Sequence, residues 1–229
     1  MEIDSMKVRL INYTKDPERI VAQSARLCYS SLDIKELNKN LSDESIIKII
    51  KKIMKLGHYS VLEHATFTFA IEEISRVTSH QLVRHRIASF SQQSQRYVKI
   101  KALGFSYIIP KSISKSDELR KTFSNTIDKI ESVYNSFLEH NIAEEDARYI
   151  LPQAVETKII LTANARELLH IFNLRCCSRA QWEIRELANT MLKEVKNFAP
   201  NIFENAGPTC VLKPCPEGEL SCGNPWSKK

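Results

Sequence analysis

Glycine is scarce in this chain, with five in 229 residues. It has no G-x-G-x-x-G sequence and no Walker phosphate loop. A nucleotide ligand would therefore be held by side chains and helix ends, not by a glycine-rich backbone cradle. Long apolar runs are also missing, and nothing approaches the roughly 20 consecutive apolar residues that span a bilayer. Met1-Glu2-Ile3-Asp4-Ser5 places acids early with no apolar run behind them, so no secretory segment is expected and a cytoplasmic location is. In that compartment the six cysteines are expected as thiols. No close C-x-x-C pair exists. Cys210, Cys215 and Cys222 are widely spaced in a Gly- and Pro-containing tail, and Cys176-Cys177 lies elsewhere. That is a weak pattern for zinc or an iron–sulfur cluster, and buried or free thiols are the expectation.

What is present fits a soluble globular chain: 43% hydrophobic and 26% charged residues, with a net charge of +6 from 33 Lys and Arg against 27 Asp and Glu. So mild an excess suits anionic ligands without requiring nucleic acid. Lys7–Asn12 alternates as a strand, and Asp16-Pro17 opens a helix reaching about Cys28. Ser42 caps a second helix, with Ile46, Ile49, Ile50, Ile53 and Met54 on its apolar face and Gly57 as its stop. Thr66–Ile71 alternates as a strand, and a helix is expected over Ile74–Arg84. Tyr97–Lys101 is a candidate short strand. Ser116 caps the longest helix, to about Asn141, with Leu119, Phe123, Ile127, Ile130, Tyr134, Phe137 and Leu138 as its stripe. A short helix follows from Glu144, then a strand over Glu156–Thr162. Asn164 caps a helix to about Asn173. A last major helix turns Trp182, Leu187, Met191 and Val195 inward, with Glu183 and Arg185 expected at the surface or just behind a site's contact residues. Helices interspersed with a few strands predict an α+β fold, a compact domain with a mixed or antiparallel sheet flanked by long helices. Residues 1–207 are expected to form that domain, and residues 208–229 an irregular tail.

The densest chemistry lies in Arg84-His85-Arg86-Ile87-Ala88-Ser89-Phe90-Ser91-Gln92-Gln93-Ser94-Gln95-Arg96-Tyr97. Guanidinium forks beside hydroxyls and amides suit a ligand rich in phosphate and carbonyl oxygens. The serine and glutamine run offers donors and acceptors but little apolar packing surface, and reads as a binding loop. A solvated basic helix end followed by a polar turn is the plainer alternative. A nucleic-acid module is another, but it would need a continuous basic stripe, whereas acids such as Glu144, Glu145 and Asp146 interrupt the arginines. No nucleic-acid or membrane partner is expected.

Arg84-His85-Arg86, seven residues, then Ser94, with Arg96 two further on, resembles the signature of the flavin-dependent thymidylate synthases. Gly57-His58 with Glu63-His64, Asp146-Ala147-Arg148 with Pro152, and Asn164-Ala165-Arg166 with His170 and Arg175 resemble further blocks of that family. The resemblance implies reductive methylation of dUMP to dTMP, with methylenetetrahydrofolate as carbon donor, NADPH as reductant and FAD as bound cofactor. It implies dUMP contacts at Gln81, Arg84, Gln92, Gln93, Ser94, Gln95, Arg96, Arg148 and Arg175. It implies FAD contacts at His58, Glu63, Arg84, His85, Arg86, Ile87, Asn164, Arg166 and His170. Arg84 and Arg175 would stabilise charge on the uracil ring, and His58 would orient folate against the flavin. Ser94 would be a ligand contact rather than a nucleophile, since no base is fixed beside it. Gln92 and Gln95 stand where the family often has glutamate and glycine. His58, Glu63 and His64 lack the H-E-x-x-H spacing, and no metal is expected. Self-association to a homotetramer with shared flavin sites is also implied.

Overall fold

The computed structural model describes residues 6–31, 33–39, 41–98 and 106–226. Strand β1 (Lys7–Tyr13) leads into helix α1 (Pro17–Leu27), which has Pro17 in its first turn. A short helix α2 (Ile34–Lys39) precedes α3 (Asp43–Leu56). The ends of α3 are set by local chemistry. The Ser42 hydroxyl accepts from the Ser45 backbone N–H, and Gly57 closes the helix at φ 73°, a conformation open to a residue without a Cβ. A 3-10 turn over Tyr59–His64 then delivers the chain to β2 (Thr66–Ser75).

Here the structure corrects an expectation. Ile74, expected to start a helix, is a fully buried residue of β2. The helix α4 (Arg76–Leu82) begins only where the Ser75 hydroxyl accepts from the Thr78 N–H. A second correction follows at once: the polar run read as a loop contains strand β3 (Ser89–Gln92). Of the strand expected at Tyr97–Lys101, residues 99–101 lie outside the described residues, and Tyr97 and Val98 stand in a turn and bend.

A one-turn helix α5 (Lys111–Ser114) precedes α6 (Asp117–Glu139), which Ser116 caps through the Leu119 N–H. Only Ile127 and Tyr134 of its predicted stripe are fully buried, while Leu119 and Phe137 are exposed. Next come α7 (Glu144–Ala147), a 3-10 turn over Arg148–Ile150, β4 (Glu156–Asn164), α8 (Ala165–Arg175) and α9 (Trp182–Lys196). Gln181 caps α9 by accepting from the Glu183 and Ile184 N–H groups. The face so turned inward carries Glu183, Ile184, Leu187, Ala188, Met191, Leu192 and Val195. Of the two places expected for Glu183, at the surface or just behind a site, the surface is ruled out, since it is 2% exposed.

The strands form one antiparallel four-stranded sheet in the order β1-β2-β4-β3, and the fold is α+β. The described residues divide into two units, one of residues 6–7, 71–84 and 91–159, the other of residues 8–70, 85–90 and 160–226. In the first, Ile127 and Val155 form a core with Tyr107, Phe123, Ile130 and Leu151 against them. In the second, Phe203 sits edge-on to both Phe67 and Phe172. There Glu18 of α1 accepts from the Asn201 backbone and side chain at 2.6 and 2.7 Å, fastening the turn after α9. Among the described residues, no helix is long and apolar enough to cross a membrane.

Candidate functional site

In the second unit the chemistry gathers on α8. The Asn164 side-chain Oδ1 accepts from the Glu167 N–H and so starts the helix. The side-chain oxygen of an expected FAD contact is thereby committed to the backbone, leaving its amide N–H groups as what it offers a ligand. Asn164→Ala is expected to lower the stability of flavin-free protein by about 1 kcal/mol. Urea unfolding followed by circular dichroism measures this, and an unchanged midpoint would show the cap to be idle.

Arg166 and His170 are four residues apart and both exposed. Arg166 reaches Glu63 on the 3-10 turn at 2.6 Å, which joins two expected FAD contacts distant in sequence. His58 is exposed at the start of that turn. Arg86 and Ile87 are exposed beyond α4, Ile87 at 74%.

His85 behaves differently from its neighbours. Its imidazole is buried, with Nε2 accepting from Arg175 Nε at 3.0 Å and Nδ1 lying 3.5 Å from Glu167 Oε1. The His170 ring stands edge-on, 5.7 Å away between centroids. Burial, with the nearby Arg175 and His170, holds the imidazole at about 4, so it is neutral near pH 7. Burial likewise lowers the Arg175 guanidinium and raises the Glu167 carboxyl. Glu167 was not among the residues singled out from sequence. Its one signal was an acid next to Leu168 and one turn before Ile171, on the buried side of an amphipathic helix.

In the first unit, β3 and the turn after it carry the expected dUMP contacts. Gln92 donates through Nε2 to the Ser79 hydroxyl at 2.8 Å and to the Thr157 hydroxyl at 3.2 Å. Gln95 accepts from Arg76 at 3.0 Å. Arg76 was also missed, since a lone arginine opening a helix gives no sequence signal. Its guanidinium is lowered by burial and by the charge of Arg148. The Ser94 hydroxyl accepts from the Arg96 N–H at 3.1 Å, a turn contact rather than an activated nucleophile. Arg96 pairs with the Glu145 carboxylate at 2.5 Å and stacks on Tyr97, and Arg148 donates to the Glu145 carbonyl at 3.1 Å. One residue therefore anchors two arginines that are both expected to contact dUMP. Gln81 and Arg84 lie at the end of α4, with Gln81 donating to the Val77 carbonyl and Arg84 and Gln93 exposed.

All six cysteines are free thiols, and burial pushes Cys176 up to about 12. The C-terminal segment is tied to the second unit. Thr209 donates to Asn173, Arg179 pairs with Glu217 at 2.7 Å, and the Trp226 ring lies against Gly207, where a Cβ would come within 2.9 Å of it.

A family model described as thymidylate synthase complementing protein matches residues 9–201. A flavin-dependent thymidylate synthase of Geobacter sulfurreducens is 55% identical over 218 residues, covering 95% of this chain and 94% of that protein. One of Clostridium tetani is 50% identical over 234 residues, covering 95% and 93%. Among solved structures, a UMP/dUMP methylase from Streptomyces cacaoi superposes with a TM-score of 0.77 at 23% identity, covering 87% of this chain and 93% of that one, and shares the fold. With the arginine–histidine–arginine signature in place and similarity running through nearly the whole length, this chain belongs to the flavin-dependent thymidylate synthase family.

Proposed function

We propose that the protein methylates dUMP reductively to dTMP, taking the carbon from methylenetetrahydrofolate and the reducing equivalents from NADPH, with FAD as its bound cofactor. The observation that carries this reading is the arginine cluster around Glu145. Arg96 and Arg148 are both anchored to that residue, and Arg76 is close enough to Arg148 to feel its charge. Such preorganised cations, beside the Ser94 and Gln95 turn, suit the phosphate dianion of a mononucleotide.

The residues assigned to FAD fit a flat ligand with an anionic pyrophosphate. Arg84, Arg86 and Arg166 supply cationic donors, and Ile87 supplies an exposed apolar edge. His85 contributes through its backbone, because its imidazole is turned inward onto Arg175. The chemistry FAD supplies when bound is the relay of hydride from NADPH. The protein binds and orients. Arg96 and Arg148 hold the phosphate, while Gln81, Gln92, Gln93, Ser94 and Gln95 fix the nucleotide. Arg84 and Arg175 stabilise negative charge developing on the uracil carbonyls, and His58 orients the folate. The assembly proposed is a homotetramer with shared flavin sites, located in the cytoplasm.

The purified protein is expected to be yellow. Adding dUMP should perturb its flavin absorbance, and the reduced protein should form dTMP from dUMP and methylenetetrahydrofolate without oxygen. Protein that binds no added flavin at micromolar concentration would sink the proposal.

A further inference from the structure

Glu167 is a carboxylate on the buried side of α8, and its side chain is 5% exposed. Burying a carboxylate is unfavourable unless a partner compensates. The group it faces is His85 Nδ1, whose side chain is 3% exposed. On the other side of that imidazole, Nε2 accepts from Arg175 Nε. A neutral imidazole carries one proton, so a lone pair at Nε2 places the proton on Nδ1, toward Glu167. The other tautomer would set an imidazole N–H against the guanidinium N–H. The charged and titratable groups facing His85 are Glu167 and His170 from α8 and Arg175 at its end.

We infer that Glu167, acting through His85, is a positioning residue for Arg175. Glu167 holds the imidazole proton on Nδ1, which leaves Nε2 to accept from Arg175 Nε and sets the plane of the guanidinium. The inference rests on the reading of Arg175 as the arginine that meets the uracil ring. A bidentate fork works only when its plane is right, so turning Arg175 about its Nε bond would misplace its terminal N–H groups. Burial keeps the imidazole uncharged at neutral pH, as the arrangement requires.

The test combines nitrogen NMR of His85 with steady-state kinetics on flavin-loaded enzyme, the His85 signals being identified by their loss in His85→Asn. Wild-type protein should show neutral His85 protonated at Nδ1 at pH 7. Glu167→Leu should show mixed tautomers and a kcat lowered about tenfold to a hundredfold, by analogy with the loss when a metal-binding histidine is deprived of its orienting partner. Its KM for dUMP should change less. Glu167→Gln keeps an acceptor oxygen and should restore both the Nδ1 tautomer and most of the rate. A wild-type His85 protonated at Nε2, or charged, at pH 7 would overturn the inference without any variant. So would a Glu167→Leu enzyme with wild-type rate and tautomer, or a Glu167→Gln enzyme as slow as Glu167→Leu. If Glu167→Leu does not fold, the wild-type tautomer and Glu167→Gln decide. Active wild-type enzyme with the wrong tautomer overturns this inference alone. Wild-type enzyme that forms no dTMP overturns the functional reading, whatever its tautomer.

Discussion

Replacing Arg175 with alanine is expected to lower dTMP formation by about a hundredfold to a thousandfold at saturating dUMP, the loss typical of removing one preorganised donor from a site of developing charge. Three observations put the largest catalytic effect there. The guanidinium is partly buried, where its interaction with a developing negative charge is weakly screened. Its Nε is committed to His85, so its orientation is set before any ligand arrives. Burial lowers its pKa from the usual guanidinium value, which lies so far above neutrality that an arginine in a protein stays a cation. Arg175→Lys is expected to recover little, because an ammonium keeps the charge but has no planar fork and no Nε donor for His85. Flavin content, read from absorbance, should stay close to that of the wild type in both variants, since no FAD contact is assigned to Arg175. Anaerobic single-turnover assays of dTMP measure the effect. An alanine variant within about threefold of the wild type, far short of the loss of one such donor, would remove Arg175 from the proposed mechanism.

The largest effect on stability is expected at Phe203. Its side chain is 0% exposed and meets Phe67 of β2 and Phe172 of α8 edge-on, at centroid distances of 5.6 and 5.9 Å. Phe203→Ala removes the ring common to both pairs and leaves a cavity that closely packed neighbours fill only in part. The expected loss is about 3–5 kcal/mol. Native domains have only about 5–15 kcal/mol of stability in all, so this is a large share. Urea unfolding of flavin-free protein, followed by far-ultraviolet circular dichroism, gives the number. A loss below about 1 kcal/mol would show that this ring is not the keystone its contacts describe. The site should suffer with it, because Phe172 belongs to the helix that carries Arg166, Glu167, His170 and Arg175.

Helix ends were the most legible part of the fold. Ser42, Ser116 and Asn164 cap helices as expected, and Gly57 stops one, because each acts on backbone groups within a few residues of itself. The stripe of α6 was legible in period but not in depth. Periodicity says which residues share a face, while burial depends on how much of that face another element covers. Ile127 and Tyr134 are covered, and Leu119 and Phe137 are not. Strand β3 was hidden because Ser-Phe-Ser-Gln carries little apolar signal, and its strand character comes from pairing with β4, a segment more than sixty residues away.

By itself, then, the sequence determined the α+β class, the capped helices, the family and the set of polar residues offered to anionic ligands. These are local patterns, readable wherever a side chain acts on nearby backbone or a motif has a definite spacing. Only the tertiary structure decided which of those residues meet. It turned the His85 imidazole away from its exposed neighbours and between Glu167 and Arg175, gathered Arg96 and Arg148 onto Glu145, and brought Arg76 to Gln95. The physical reason is that burial and partner choice belong to elements far apart in the chain. A charged side chain has no fate in the sequence until packing either leaves it in water or supplies the group that compensates for leaving it.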